Sequence, residues 1–393
     1  MIRSAVPPSP FDVVIVGARC AGAATAMLLA RAGHRVLMVD RGRYGTDTLS
    51  THALMRGAVV QLHRWNVLPA VIAAGTTPVR QATFFYGDEP VSVPVAPRDG
   101  IDALYAPRRH VLDRLLVDAA SAAGADVVYG TRIRGLQRSE AGRVTGVVLE
   151  DASGQVRRVS SRIVVGADGL RSAVARLVGA RTYRVGQHAT ATMYGHWDRL
   201  EVGAYEWYFV PGLGAGAIPT NAGQVCVFVS VPASAFADVS SHQPERAFLE
   251  LLAQVAPRVA EQIGRAGRSV LHGFPGEPGF YRHSHGPGWA LVGDAGYFKD
   301  PLTAHGITDA LRDAELLANA IDLGSDDALA DYQARRDAAS EEVFETTDAI
   351  ASFGWDLSGL RVLHEALARA MSREVKQLVG ASLPRGVGTH AVR

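Results

Sequence analysis

Residues 11–40 constrain the fold of this chain more than any other stretch. Phe11-Asp12-Val13-Val14-Ile15-Val16 is a nearly unbroken apolar, β-branched run, as expected of a strand buried on both faces. A glycine-containing turn follows. Ala23 to Ala32 is rich in Ala and Leu and is closed by Gly33 at a C′ position, which predicts a helix. Arg35 to Asp40 then reads as a second buried strand. The whole is a βαβ unit of the length that a dinucleotide-binding motif requires. Within Gly17-Ala18-Arg19-Cys20-Ala21-Gly22, Gly17 allows the tight turn and Gly22 allows close helix–strand packing. The helix N-terminus then presents free N–H groups and a partial positive charge to a pyrophosphate. Asp40, 23 residues after Gly17, sits where a carboxylate can accept hydrogen bonds from a ribose. Arg19 occupies the place of the second glycine of GxGxxG, where a side chain restricts backbone approach to phosphates. Cys20 beside it reads as a small filler.

The chain has 393 residues, more than a typical single domain, so two interleaved lobes are expected. Hydrophobic residues at 48% and charged residues at 20% suffice for a sizeable core. A formal net charge of +1 provides no global field for nucleic acid or an anionic membrane. Cys20 and Cys226 are the two cysteines. They form no CxxC and no metal-ligand spacing, so neither a disulfide framework nor a metal is expected, and a reducing cytoplasm is. The proline-broken start MIRSAVPPSPF lacks the apolar core of a signal peptide, and no stretch reaches the roughly 20 apolar residues of a membrane span.

Further along, Ala58, Val59, Leu62, Trp65 and Leu68 recur at helical spacing, and 81–106 alternates like short antiparallel strands. Residues 109–123 predict an amphipathic helix with Leu112, Leu115, Leu116 and Ala119 on its buried face. Strand patterns return near 126–129, 144–149 and 162–166. The middle, 183–285, reads as a mixed sheet with one exposed helix at 244–263. Trp289 to Val292 is another strand, and Ile307, Ala310, Leu311, Ala314, Leu317, Ala318 and Ile321 form one stripe of a helix over 306–321. The expected fold class is α/β. A three-layer, Rossmann-like nucleotide-binding domain would be assembled from 10–80, 107–182 and 286–345. An inserted mixed β-sheet domain would come from 81–106 and 183–285, and 346–393 would form a C-terminal helical segment. Those last helices offer a surface for a homodimer, and equally for simple packing.

Two later motifs repeat the placement of an acid at a strand end. One is Val164-Val165-Gly166-Ala167-Asp168-Gly169-Leu170-Arg171-Ser172; the other is Gly293-Asp294-Ala295, running through Asp300-Pro301-Leu302-Thr303-Ala304-His305-Gly306 into the 306–321 helix. Ligands bind at such strand ends, and helix N–H groups there stabilise negative charge on a bound ring. With GARCAG and Asp40, these motifs resemble the group A flavoprotein monooxygenases, the family of para-hydroxybenzoate hydroxylase, over roughly residues 10–340. The resemblance implies non-covalent FAD, with Asp40 on the adenosine ribose, Asp294 on the ribityl chain, and Asp168 near FAD and the route of a nicotinamide donor. Arg109 matches a family arginine near the pyrophosphate and ribityl, and Arg56 one over the FAD or NADPH phosphates. Gly17, Ala18, Gly22, Arg41, Gly293, Pro301 and Gly306 complete the expected cofactor contacts. The implied activity is hydroxylation or epoxidation of a small aromatic or apolar substrate, in a setting such as secondary metabolism. NADPH or NADH would be the transient reductant and O2 the oxidant.

Rival readings share the fold. Tyr205-Glu206-Trp207-Tyr208-Phe209-Val210-Pro211 is similar to the YxWxFP segment of geranylgeranyl reductases, with one extra residue before the proline, and Asp300-Pro301-Leu302-Thr303 is similar to their NPLTGGG turn. Flavin-dependent halogenases carry an essential early lysine, whereas no lysine precedes Lys299 here. A non-redox flavoprotein, an isomerase, cyclase or binding protein, is the reading from another class. His52 and His305 are the candidate acid–base residues, with a scaffold role as the alternative for each. Tyr194, Trp207, Phe209 and Phe228 are candidates to line the substrate pocket. Singly each reads as sheet core; together they favour an apolar or aromatic ligand.

Overall fold

The protein is described from a computed structural model covering residues 2–387 except 4, 9, 237–242 and 268. Its first sheet is built on four parallel strands, Asp126–Val128, Val36–Val39, Phe11–Val16 and Val156–Gly166, with Trp289–Leu291 parallel beyond the last. Alternation along the first strand divides the core. Val13 and Ile15 face Cys20–Arg31, Arg109–Ala122 and Gly306–Leu323, three helices on one side. Val14 and Val16 face the other side, where Val144, Val147, Leu149 and Val159 meet them from an antiparallel meander. That meander comprises Thr131–Arg138, Val144–Asp151 and the first half of Val156–Gly166. A single long strand therefore serves both layers, which produces the expected three-layer arrangement. The strand at 131–138 escaped the sequence reading because Arg132, Arg134 and Arg138 interrupt its apolar pattern.

The second sheet runs His272–Phe274, Thr190–Asp198, Gln224–Pro232, Leu213–Pro219, Tyr205–Val210, Gln81–Tyr86, Glu89–Pro94. Its outer face carries Met193, Trp197, Tyr208, Val227 and Val229. These pack on two helices, Pro244–Val255 and Pro257–Ala266, through Phe248, Leu252, Val259 and Ile263. Pro257 cannot continue the preceding helix, so the expected single helix at 244–263 is two, and both cover the sheet. Its inner face turns Tyr194, Tyr205, Trp207, Phe209, Ile218 and Phe228 toward the nucleotide-binding lobe.

Two helices end the chain, Asp326–Ala351 and Leu357–Gly380. The boundary expected at 346 lies inside the first. The second packs back on Arg56–Arg64. The buried face of Arg109–Ala122 is also rotated from expectation: Leu112 and Leu116 are inside, Leu115 and Ala119 are half-buried, and Asp113 is inside. No helix among the described residues is long and apolar enough to cross a membrane.

The tightest approach within the βαβ unit is at Gly22, where an added Cβ would stand 1.9 Å from the Gly17 carbonyl oxygen. Gly22→Ala should therefore cost about 1–3 kcal/mol through overpacking, read as a lowered Tm in thermal unfolding. An unchanged Tm would show that the helix can back away from its strand.

Candidate functional site

The C-terminal ends of the parallel strands gather the three motifs. Gly17 has φ +109, and a Cβ on it would lie 2.3 Å from the Ala167 carbonyl oxygen, so the first and second motifs touch through backbone. A Cβ on Gly293 would lie 2.9 Å from Ala21 Cβ, which brings the third motif against the first helix. Arg19 does not obstruct the turn. Its backbone is extended (φ −96°, ψ −171°), so no glycine is needed there. Its guanidinium swings aside to Asp113 Oδ2 (3.1 Å) and the Asp47 carbonyl (3.4 Å). The first helix has neither an acidic residue in its first turn nor a capping side chain, which leaves its leading N–H groups for an anion. Asp40 accepts the N–H groups of Ala18 (2.8 Å) and Gly42 (2.6 Å), one on each oxygen. A carboxylate has about four lone-pair sites, so acceptor capacity for a diol remains.

Asp113, which the sequence reading passed over, organises the next layer. It receives Arg109 Nε and Nη2 on Oδ1 (3.1 and 3.0 Å), and the Cys20 thiol (3.0 Å) on the same oxygen. Burial holds that thiol well above its usual range, so Cys20 is a packed donor rather than a nucleophile. The missed signal was an acid at i+4 from Arg109. Asp294 is the one exposed residue between Gly288 and Asp300. It projects into a crevice deep enough that desolvation pushes its carboxyl up to about 6, against the pull of Arg109 and Lys299. Asp40 thus lies beside the first turn and Arg109 within electrostatic reach of Asp294, with the backbone of Gly17, Ala18, Gly22 and Gly293 packed close around them.

Other expected cofactor residues sit differently. The Asp168 carboxylate accepts Ser172 Oγ–H and the N–H groups of Ala173 (2.6 Å) and Val174 (3.2 Å), so it caps the helix Ala173–Val178. Arg56 donates to the carbonyls of Ala96 (2.6 Å) and Arg98 (3.3 Å). Arg41 and Pro301 are exposed. Gly306, also exposed, opens the helix Gly306–Leu323, and nothing lies within 4 Å of where its Cβ would be.

His305 precedes that helix and is fully enclosed. Its Nε2 lies 2.6 Å from Glu374 Oε2. Glu374 Oε1 receives Arg312 Nη1 (2.7 Å), and Arg312 also binds Asp309 (2.9 Å) and Asp313 (2.8 Å). Lys299 pairs with Asp309. Although the ligand atoms of His305, Asp309 and Glu374 lie within 4.8 Å of one another, Lys299 and Arg312 already neutralise the carboxylates as a cation would.

His52 is buried with φ +49°, a left-handed conformation that a non-glycine residue adopts at some cost. Its Nε2 meets His196 Nε2 at 3.0 Å, with the rings stacked 5.1 Å apart. Burial, then His196, lowers the His52 pKa; burial, then Arg108, brings His196 down to about 4. Cys226 Sγ lies within 4.8 Å of both nitrogens, but the two Nε2 atoms already partner each other; His52 Nδ1 is buried with no hydrogen-bond partner among the described residues. His196 was missed; its spacing of two from Tyr194 places both on the inner sheet face. The Tyr194 hydroxyl accepts the Ser50 N–H (3.1 Å). Strand register aligns Tyr194, Phe228, Gly216, Trp207 and Phe84 in one row across five strands. A Cβ on Gly216 would meet Phe228 Cζ at 2.4 Å, so glycine is needed for that ring to lie over the strand. Trp207 stacks on Phe84 at 5.1 Å. Phe209, one row along, meets His364 (4.9 Å) and Trp355 (6.3 Å) from the C-terminal region. The four expected aromatic residues therefore share one face.

A glycine turn at a helix N-terminus, an acid beside it and a second acid at the third strand end define a dinucleotide-binding oxidoreductase of the flavin class. The model of the FAD binding domain family matches residues 10–347, and the chain belongs to that family. It is 30% identical to digeranylgeranylglycerophospholipid reductase 1 of Methanopyrus kandleri, over 86% of this chain and 88% of that protein. It is 28% identical to a menaquinone reductase of Mycolicibacterium smegmatis, over 80% and 76% respectively. Among solved structures, PqsL of Pseudomonas aeruginosa, a probable FAD-dependent monooxygenase, superposes with a TM-score of 0.77 at 24% identity, over 92% of this chain and 99% of that one. The myxobacterial chondrochloren halogenase CndH gives 0.75 at 20% identity, over 97% and 99%. The protein is an FAD-dependent oxidoreductase. Its residues fit FAD: the first helix leaves its leading N–H groups uncapped for a pyrophosphate, and Asp40 and Asp294 offer acceptors to hydroxyls.

Two outcomes follow. Asp294→Ala and Asp40→Ala should each weaken FAD binding by about tenfold or more, since each removes charge-assisted hydrogen bonds. Titration of apoprotein by flavin fluorescence quenching checks this, and a fully loaded variant at low FAD would remove that acid from the site. The second concerns acid. Burial lowers His364 to about 4, from an unfolded value near 6.5. Its neutral form is thus favoured by folding, and its contribution to stability is lost as pH falls from 6.5 toward 4. Denaturant unfolding at stepped pH should show wild type losing stability relative to His364→Phe across that window. Parallel curves would refute it.

Proposed function

We propose that this enzyme is a monooxygenase, dependent on NAD(P)H and O2, that hydroxylates or epoxidises a small aromatic or apolar substrate. The substrate would lie on the inner face of the sheet formed by 81–106 and 183–285, against Tyr194, Trp207, Phe209 and Phe228. The observation that carries this reading is the neutral His52–His196 pair at the edge of an aromatic floor. When bound, FAD supplies the electron storage and the chemistry with O2. The protein's own part is binding, orientation and proton handling. The aromatic row excludes water and offers flat apolar surface. Low pKa values keep both imidazoles uncharged at neutral pH, so the pair acts as an acceptor for the proton of a substrate hydroxyl. Because the two ring nitrogens already share one hydrogen bond, a proton taken by one is delocalised to the other without a rotation.

A second reading, reduction of an isoprenoid double bond, is favoured by the reductase relatives at 28–30% identity and by Tyr205, Trp207 and Phe209 all facing inward. It requires an acid strong enough to protonate carbon, and two neutral imidazoles are poor acids.

The discriminating experiment reduces the FAD-loaded enzyme with NAD(P)H and admits isotopically labelled O2 with phenolic, apolar and isoprenoid substrates. The monooxygenase reading expects label in the product. A saturated product formed without O2 would replace it with the reductase reading, and no redox turnover on any substrate would leave a non-redox flavoprotein. His196→Asn should lower kcat at least about tenfold, at the low end for general-base catalysis, with FAD content unchanged.

A further inference from the structure

We infer that Glu374, on the C-terminal helix Leu357–Gly380, is a positioning residue for the flavin site, acting through His305. The helix lies beyond the family-matched segment 10–347, yet it returns to insert an acid behind the turn Pro301–Gly306. His305 and Glu374 are 1% and 2% exposed. In that setting each carboxylate oxygen has one partner: His305 Nε2 at 2.6 Å on one side and Arg312 Nη1 at 2.7 Å on the other. An ionised carboxylate only accepts, so His305 must carry its proton on Nε2. The tautomer of the neutral ring is then decided, and Nδ1 is left as a bare lone pair. That atom is buried and has no hydrogen-bond partner among the described residues. A solvent-excluded acceptor without a partner is costly unless it serves something. Here it belongs to the residue that immediately precedes the exposed N-terminus of Gly306–Leu323.

The surrounding charges make this arrangement sensitive. His305 is faced by Lys299 from the segment after the short strand Tyr297–Phe298, by Asp309, Arg312 and Asp313 from the helix it precedes, and by Glu374 from the C-terminal helix. Three carboxylates meet Arg312 and Lys299, whose ammonium pKa burial brings down to about 7; while Lys299 is charged, protonation of His305 balances the group and deprotonation leaves one excess negative charge. That charge sits behind the third motif, where a bound flavin would gain negative charge on reduction. Glu374 thereby sets both the orientation of His305 and the field felt at the turn.

The test measures the midpoint potential of protein-bound FAD across the neutral pH range, with Tm recorded in parallel. Glu374→Gln should shift the potential in the positive direction and flatten its His305-linked pH dependence. His305→Asn should flatten that dependence equally, the double variant should add nothing further, and Glu374→Asp should retain wild-type behaviour. A Glu374→Gln protein with lowered Tm but unchanged potential and pH dependence would overturn the inference and leave Glu374 a structural ion-pair partner. If Glu374→Gln does not fold, His305→Asn decides alone: a wild-type pH dependence in that variant overturns the proposal.

Discussion

Where the first helix leaves the Gly17 turn, it passes so close to its own strand that no side chain fits at Gly22, and Gly17 itself rests on the Ala167 carbonyl. The other features of the site depend on this approach. It brings the end of the 156–166 strand level with the first turn, and it lets Gly293 settle against Ala21. Three strand ends widely separated in sequence then open on one crevice. The same turn carries Ala18, whose N–H reaches Asp40, and Cys20, whose thiol reaches Asp113 on the neighbouring helix. Close packing is here the means by which acceptors and free N–H groups reach a common ligand.

Two buried groups of charges border the candidate site, with different effects. Arg109 and Asp113 form an ion pair whose remaining capacity is taken by Arg19 and Cys20, so it stiffens the wall of the crevice. The Lys299–Asp309–Arg312–Glu374–His305 group instead joins the last helix to the third motif. Such networks are weak evidence for stability, since desolvation offsets most of the attraction. They do hold groups in one geometry, and breaking one member strands the others. The C-terminal helix is for that reason tied to the third motif, and His364 on the same helix meets the ring of Phe209.

The relatives diverge in chemistry while sharing the fold: reductases by sequence, a probable monooxygenase and a halogenase by structure. A flavin scaffold permits this because the cofactor carries the reaction, and the residues around it choose the substrate and manage protons. In this chain the residues proposed for that part lie on the inner face of the second sheet. Their rows are set by register: Tyr194 opposite Phe228, Phe228 opposite Gly216, Gly216 opposite Trp207.

Short-range pattern was enough to read the βαβ unit, the three strand-end acids, the 306–321 helix and the aromatic character of the inner sheet face. Each depends on local periodicity or on a turn that only glycine can make, and such constraints are written within about 20 residues of one another. Asp113 as the partner of Arg109 was within that range too, had the i+4 spacing been weighed. The capping of a short helix by Asp168 and the diversion of Arg56 to the 96–98 loop depended on neighbours that only the folded loop supplies. The meeting of His52 with His196, 144 residues apart, and of His305 with Glu374, 69 residues apart, was decided by tertiary structure alone. No local pattern encodes such pairs, because a buried polar group finds its partner through the crossing of elements and not through their own periodicity.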